Sequence, residues 1–335
     1  MVGDTHMIEA ATAWLSEDVR RWAAGQSGPV NDWLAEELSR IDNLEFATQL
    51  DNAVPLDVPS VLLWANRVVP LSDGHWALAG ARFRNRDLDR AFVDIIATTV
   101  PPSPAGVQAL IDPSSGPLTF FRDFSPRCLR VYVADPHGFA EEVNSSSNAV
   151  WASVSASVDM YIVAAPVDEQ RARPRVQSYG DVELIEVSPA VAATRVADIY
   201  DAIQASHPEL SWWASPSDEQ SLQDAQDDGL LFSVRWKGED VGIVAARAEN
   251  SYGLTGWVVE EKCIDPMFQG HALSAAAMQR LVDKLPDIHE GGRPTLWGHI
   301  NQANIPSLRT AELTGRRVVG GHVWVTPRGY PGMTN

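Results

Sequence analysis

Hydrophobic positions along the first half of the chain switch between helical and strand spacing. Apolar residues recur at helical intervals over 8–24 and over 29–41, which predicts two helices. Runs with the composition and alternation of strands follow at 60–66, 75–83 and 91–100. The pattern then predicts a helix, a strand, a helix and a strand, at 105–111, 128–134, 139–143 and 158–166.

A polar stretch separates this half from a second series of elements. It contains Pro174 and Gly180 and has no periodicity, so we predict a linker at 171–180 between a domain of residues 1–170 and a domain of residues 181–335. The second series predicts a strand, two helices, three strands, a helix, a strand, a helix and a closing pair of strands, over 182–187, 190–203, 217–226, 230–236, 241–249, 253–264, 273–285, 295–300, 305–313 and 316–327. This order predicts an α/β (α+β) fold, with a mixed central sheet flanked by helices.

Composition and charge narrow the class of protein. With 335 residues, of which 45% are hydrophobic, the chain has the size and core of two ordinary globular domains. A formal net charge of −18 would repel phosphate backbones, so we expect no nucleic-acid partner. The sequence has no long apolar run and no basic N-terminal segment, so we expect neither a membrane span nor a signal peptide. Cys128 and Cys263 lie far apart and suggest no disulfide framework, which favours the cytoplasm.

The stretch 264–274 carries the clearest chemical signal. A predicted strand ends there, a glycine-containing loop follows, and an alanine-rich helix begins. The first turn of a helix has N–H groups without intrahelical acceptors and the positive end of the helix dipole, so it can hold a phosphate without a basic side chain. The small residues Gly270, Ala272 and Ser274 would let the anion reach the backbone. Many packing turns also contain glycine, so the loop alone does not identify a ligand.

Two ordered motifs make residues 181–327 resemble the GNAT superfamily of N-acetyltransferases. The family's V-x-P strand end and its Q/R-x-x-G-x-G/A loop are matched by Ile264, Pro266, Gln269, Ala272 and Ser274. The family's second motif, N-x-x-A followed by a tyrosine and Gly-Phe, is matched in spacing by Asn304, Ser307, Ala311, Gly315 and Arg316. Ala272 and Ser274 replace glycines, Ala311 stands at the tyrosine position, and Arg316 replaces the phenylalanine.

The resemblance implies a GNAT-type fold and acetyl-CoA as co-substrate, without a metal. It implies that an acetyl group passes to a primary amine, expected to belong to a small molecule, by direct attack in a ternary complex. The alternatives are a non-catalytic acyl-CoA-binding or regulatory module and a transferase of another acyl or aminoacyl group. By the resemblance, the residues that hold the cofactor are Cys263, Ile264, Gln269, Gly270, His271, Ala272, Leu273, Ser274, Asn304 and Ser307.

Three residues are candidates for deprotonating the amine. Glu260 and Glu261 lie on the strand that the resemblance places beside the thioester, and simple alternation puts them on opposite faces of it. We favour Glu261, and both residues could instead be ordinary strand acids. His299 on the next strand titrates near neutral pH and is the third candidate. The family's usual proton donor to the leaving thiolate is missing at Ala311, and a thiol of ordinary pKa can leave as an anion.

The loop 207–213 is the expected border of the acceptor site. Trp212 and Trp213 together with Glu209 would hold a cationic amine by cation–π and charge contacts, although large aromatic residues more often pack into a core. The partner expected from this is a small-molecule amine, with no membrane surface, and the oligomeric state stays open.

The first half echoes the element order of the second. Residues 97–101 could be the strand end before a phosphate loop, but no Q/R-x-x-G-x-G follows them. We therefore expect two GNAT-like domains in tandem, of which the first is a degenerate repeat that no longer binds the cofactor. The alternative is an unrelated accessory α+β domain.

Overall fold

A computed structural model of the protein describes residues 3–24, 28–146, 154–210, 215–287 and 293–333. The chain divides into two compact units. The first contains Met1–Tyr161, Ser251–Gly253 and Val319–Asn335, and the second contains Ile162–Asn250 and Leu254–Val318. Each unit combines a mixed sheet with helices, which confirms the predicted fold class. Within the described ranges, no helix has both the length and the apolar character needed to cross a bilayer.

The first unit contains seven helices and six strands among its described residues. Its helices are α1 (Asp4–Ala13), α2 (Glu17–Ala23), α3 (Pro29–Ser39), α4 (Leu44–Ala53), α5 (Pro104–Val107), α6 (Pro117–Phe120) and α7 (Pro136–Ser145). Its strands are β1 (Arg67–Pro70), β2 (Trp76–Phe83), β3 (Ala91–Thr98), β4 (Leu129–Val133), the first part of β5 (Val154–Pro166) and most of β11 (Arg317–Pro327). The strand order is β1-β2-β3-β4-β11-β5.

Two expectations for the first unit were wrong, and two of its elements were missed. The single helix at 8–24 is divided in two, because Ser16 caps α2 by accepting a hydrogen bond from Val19 N. The strand expected at 60–66 is a 3₁₀ turn over Val61–Trp64. Trp64 there packs edge-on against the ring of Phe124, 4.8 Å away, and donates Nε1–H to Asp51. The helix at 44–53 and the strand at 67–70 were not predicted, because β1 has only four residues and α4 follows directly from a predicted helix.

A single parallel pair of strands interrupts the otherwise antiparallel order of β1 to β4 and β11. β3 pairs with β4 from Val93↔Leu129 to Ile95↔Val131, although both strands continue further. Tyr132 lies just beyond the last pair, stacks on Tyr252 at 5.6 Å and contacts Trp33 at 6.3 Å. Tyr132, Tyr252 and Trp33 therefore form an aromatic cluster beside the end of this pairing.

The second unit contains the remaining elements. Its helices are α8 (Val167–Arg171), α9 (Pro189–Ser206), α10 (Glu219–Asp227), α11 (Leu273–Lys284) and α12 (Ile305–Leu313). Its strands are β6 (Val182–Glu186), β7 (Leu231–Trp236), β8 (Glu239–Ser251), β9 (Leu254–Ile264) and β10 (Thr295–Asn301), in the order β10-β9-β8-β7-β6. Helices α9 and α10 pack on one face of this sheet with Ile243 and Ala245, and α11 packs on the other with Val244 and Ala246.

The segment expected to be a linker is part of the second unit. Residues 171–180 lie inside it and are fastened to α11. The side chain of Gln279 accepts from Val176 N at 3.0 Å and donates to Pro174 O at 2.8 Å, and Arg280 lies over the ring of Tyr179. A polar sequence without periodicity reads as a linker, but here its backbone polar groups are satisfied by the helix.

The closing strands of the sequence form one strand, β11, and not the expected pair. From Val319 onward its residues group with the first unit, since β11 pairs antiparallel to β4 from Gly321↔Val133 to Val325↔Leu129. Two glycines permit this position. A Cβ at Gly320 would lie 2.1 Å from Tyr132 Oη, and one at Gly321 would lie 2.3 Å from Met160 O.

Candidate active site

Two neighbouring parallel strands part at the centre of the second unit. β9 and β10 pair from Thr295↔Gly256 to Trp297↔Val258. β9 then continues to Ile264 and β10 to Asn301, both fully described, without further pairing. The loop to α11 follows the end of β9, and the loop to α12 follows the end of β10. The result is a gap between the carboxyl ends of the two strands, called here the β9/β10 gap, whose closed end lies beside Val258.

Side chains of β9 change faces along the strand. Trp257 and Val259 pack in the core under α11, whereas Cys263 packs with α9 and Glu261 accepts from Tyr200 of α9. Odd-numbered residues therefore switch from one face to the other, and strict alternation is broken between Val259 and Glu261.

Glu260 and Glu261 consequently lie on the same face, and the expectation of opposite faces was wrong. Glu260 accepts from Arg247 Nε at 2.9 Å. Arg247 lies between Ala246 and Ala248 of β8, both of which pack under α11, so its side chain leaves β8 on the α9 face.

Glu261 is a buried carboxylate held by three donors. Its side chain accepts from Lys262 N at 2.8 Å, from Tyr200 Oη at 3.2 Å and from Ser217 N at 3.2 Å. Burial raises the pKa of Glu261 despite these hydrogen bonds, and burial together with the carboxylate raises the pKa of Tyr200. Ser217 N donates to Glu261, and the adjacent Asp218 caps α10 by accepting from Ser221 N.

Further acidic residues lie on the same face of the sheet as Glu261. Arg247 forms ion pairs with both Glu260 and Glu249, so this group has three carboxylates and one guanidinium. Burial raises the pKa of Glu249, with Arg247 opposing the rise. Such a surface attracts a cation such as a protonated amine. Among the described residues, no group of His, Cys, Asp or Glu has the arrangement of a metal site.

Two cationic side chains lie on the other side of the gap. Lys262 Nζ donates to Ser307 Oγ of α12 at 3.1 Å, and burial and the nearby Arg316 lower the pKa of Lys262 to about 8. Arg316 follows α12 directly and is only 5% exposed, and burial lowers its pKa to about 10. Ala311, the residue that the motif comparison aligned with a tyrosine, is buried in α12 and offers no proton.

The loop after β9 leads into a helix without a side-chain cap. Asp265 accepts from Met267 N at 3.0 Å and from Arg195 at 2.8 Å, which fixes the start of the loop. Gly270 and Ala272 have positive φ angles of 86° and 53°, and α11 begins at Leu273 without a side-chain cap. A Cβ at Gly270 would meet nothing within 4 Å. The first turn of α11 therefore has no capping side chain, as an anion site requires, and the space beside Gly270 is open.

The structure places the other predicted residues as follows. Asn304 accepts from Ser307 N at 3.1 Å and caps α12, and Gln269 is exposed. The ring of His271 packs at a tilt against that of Trp236, with 4.9 Å between ring centroids. Cys263 faces the α9 core, where burial raises its pKa, so only its backbone belongs to the gap. His299 is exposed beside the ring of Trp297.

The predicted acceptor residues cannot be placed. Trp212, Trp213 and the side chain of Glu209 lie outside the described residues. The sequence had not indicated Lys262, Tyr200 or Glu249 as site residues. A raised or lowered pKa in a buried strand residue depends on tertiary neighbours, so no local pattern could have marked them.

No protein-family model and no curated protein sequence matches the chain. Solved structures resemble it at low sequence identity. An acetyltransferase from the GNAT family of Colwellia psychrerythraea has 14% identity and a TM-score of 0.47, over 85% of this chain and 97% of that one. A GCN5-related N-acetyltransferase from Sphaerobacter thermophilus has 12% identity and a TM-score of 0.47, over 90% and 94%. A tandem GNAT protein from the clavulanic acid biosynthesis pathway has 12% identity and a TM-score of 0.41, over 93% and 98%. These identities leave the acyl group and the acceptor open.

Proposed function

We propose that the second unit is an acyl-CoA-dependent N-acyltransferase that moves an acetyl group to the primary amine of a small molecule. One observation supports this most. The β9/β10 gap has a buried carboxylate, Glu261, on one side and a half-buried ammonium, Lys262, on the other. Acyl transfer to an amine needs a proton acceptor for the amine and a proton donor for the leaving thiolate.

The donor substrate fits the backbone of residues 269–274 and the gap behind them. The open amides of α11 suit a pyrophosphate, and Gly270 leaves the approach clear. The unpaired edges of β9 and β10 can hydrogen-bond an extended pantetheine arm between the strands. The thioester would then lie near Lys262.

The amine would approach from the α9 face. The three carboxylates there favour a cationic amine, and Glu261 can take its proton through one water molecule. Among the described residues, Tyr200 Oη, Ser217 N and Lys262 N donate to this carboxylate, whose two oxygens have about four acceptor positions.

Lys262 completes the reaction on the opposite side. The amine nitrogen bonds to the acyl carbon while the bond from that carbon to sulfur breaks, and the Lys262 ammonium gives its proton to the sulfur. With a pKa of about 8, Lys262 matches a thiol in acidity. It therefore takes the part of the tyrosine missing at Ala311, which favours an enzyme over a non-catalytic CoA-binding module.

The test combines binding with turnover. Calorimetry with acetyl-CoA measures donor binding, and thiol release in the presence of a panel of primary amines measures transfer. We expect wild type to bind acetyl-CoA and to release thiol only with an amine present. The variant Glu261→Gln should bind acetyl-CoA like wild type but lose on the order of 100-fold or more in rate.

The exposed strand residue Glu186 provides a matched control. Glu186→Gln should match wild type in both assays. Acetyl-CoA binding without thiol release on any amine would instead support a binding module, and no acyl-CoA binding at all would refute the proposed function.

A further inference from the structure

Arg316 is a buried cation without an anion. It is 5% exposed, its Nε is enclosed without a hydrogen-bond partner, and no carboxylate among the described residues forms an ion pair with it. Burying a charge is costly unless a counter-charge or hydrogen bonds compensate for it. Other arginines of this unit, such as Arg247 and Arg195, do have carboxylate partners.

The guanidinium lies at the closed end of the β9/β10 gap. An added Cβ at Gly298 would lie 3.8 Å from Arg316 Nη1 and 3.4 Å from the side chain of Val259. Val259 and Gly298 directly follow Val258 and Trp297, the last residues that pair across the two strands. Arg316 therefore lies where the strands begin to part, the end farthest from the loop at 265–272.

A second cation strengthens the positive charge there. Lys262 is close enough for Arg316 to lower its pKa, and no carboxylate faces Arg316 from β9, β10 or α12 among the described residues. Glu261, the carboxylate next in sequence to Lys262, lies on the opposite face with Tyr200.

Building on the proposed function, we propose that Arg316, assisted by Lys262, binds a carboxylate carried by one of the two substrates at the closed end of the β9/β10 gap. A guanidinium has a planar fork of donors that matches a carboxylate with two hydrogen bonds. The anion that the protein itself does not provide would arrive with the substrate.

The position favours the acyl donor as the source. A donor held at the loop beyond Ile264 must run back along β9 toward Val259. Five residues of strand span about 16 Å, since each residue rises about 3.3 Å. The far end of an acyl chain would then reach Arg316, and a dicarboxylic acyl group such as succinyl would place its free carboxylate there.

The test compares donors of equal chain length with and without a carboxylate. Succinyl-CoA and butyryl-CoA both have four acyl carbons, and acetyl-CoA serves as the short reference. We expect wild type to bind succinyl-CoA more tightly than butyryl-CoA, on the order of 30-fold, the scale of a buried, hydrogen-bonded charge pair. Arg316→Met should remove this preference while keeping acetyl-CoA binding.

Arg317 is the matched control, because it is adjacent in sequence but forms an exposed ion pair with Glu169. Arg317→Met should keep the preference for succinyl-CoA. If Arg316→Met does not fold, the wild-type comparisons of ligands with and without a carboxylate still test whether the protein prefers the carboxylate. We expect that variant to melt no lower than wild type, since it removes an uncompensated buried charge.

A second arm tests the acceptor as the source. Lysine and 1,5-diaminopentane differ by one carboxylate, and their transfer rates with acetyl-CoA are compared in wild type and in Arg316→Met. A preference for lysine that Arg316→Met abolishes would assign the carboxylate to the acceptor. The inference is overturned if wild type shows no carboxylate preference in either arm, or if Arg316→Met weakens all ligands equally. Normal acetyl-CoA binding by wild type in those cases would leave the proposed function standing.

Discussion

Replacing Glu261 by glutamine should change the pH dependence of stability in a defined direction. Burial raises the pKa of Glu261 from an ordinary value of 4.5. A carboxyl group with a raised pKa in the folded state contributes stability that is present below its unfolded pKa and is lost as pH rises through the folded pKa. Glutamine has the shape of the protonated acid and does not titrate, so the variant should escape this loss.

The magnitude follows from the contacts. The protonated acid and the amide both lose acceptor capacity toward Ser217 N, so wild type and Glu261→Gln should have similar melting temperatures near pH 4. At higher pH, each unit by which the folded-state pKa exceeds the unfolded one corresponds to about 1.4 kcal/mol of stability that wild type loses. For domains of this size 1 kcal/mol shifts Tm by about 2–4 °C, so each pKa unit by which Glu261 is raised should move the two curves apart by roughly 3–5 °C.

Thermal melts between pH 4 and pH 8 provide the assay. Glu261→Gln should melt above wild type at pH 8, and the difference should shrink toward pH 4. Glu186→Gln, at an exposed position of β6, should follow the wild-type curve throughout. If the difference in melting temperature between the two proteins stays constant with pH, or if wild type is more stable at pH 8, burial does not raise the pKa of Glu261 and the reasoning is refuted.

Three further outcomes test the site. Gly270→Val and Gly229→Val both place a branched residue at positive φ. Both variants should therefore lose about 1–3 kcal/mol of stability in urea unfolding. Only Gly270→Val should also weaken acetyl-CoA binding in calorimetry. Wild-type kcat should fall as pH rises through about 8, where Lys262 loses its proton. Lys262→Met should have a lower kcat and should lack this decline. If the pH–rate profile of Lys262→Met is the same as that of wild type, Lys262 is not the donor. Tyr200→Phe removes one hydrogen bond to Glu261, so the acidic limb of kcat/KM should shift to higher pH, and an unmoved limb would show that Glu261 is not the group observed.

Local patterns predicted most elements because they depend on neighbours in sequence. The turn between β7 and β8 illustrates this. A lysine and a glycine between two alternating runs predict a tight hairpin, and Lys237 and Gly238 both have the positive φ that such a turn needs. The loop before α11 was likewise readable, because its small residues follow directly from the needs of a strand–helix turn.

The site was less predictable because it depends on one irregularity and on long-range neighbours. Strict alternation separated Glu260 from Glu261, and a local break in β9 brings them to one face. The proposed role of Arg316 could not be predicted from the sequence either. The motif comparison marked it only as a replacement for phenylalanine, and its lack of a counter-charge is visible only once β9 and β10 surround it.

The pairing of β11 with β4 has a consequence for biosynthesis. Leu129 and its partner Val325 are 196 positions apart in sequence, so the ribosome must synthesise nearly all of the second unit before this pair can form. Until then, the backbone N–H and C=O groups on one edge of β4 lack their strand partner. Such an open strand edge readily pairs with other chains. A nascent chain arrested before residue 319 should therefore recruit chaperones and resist compaction, and release of the remaining residues should allow the first unit to fold cooperatively.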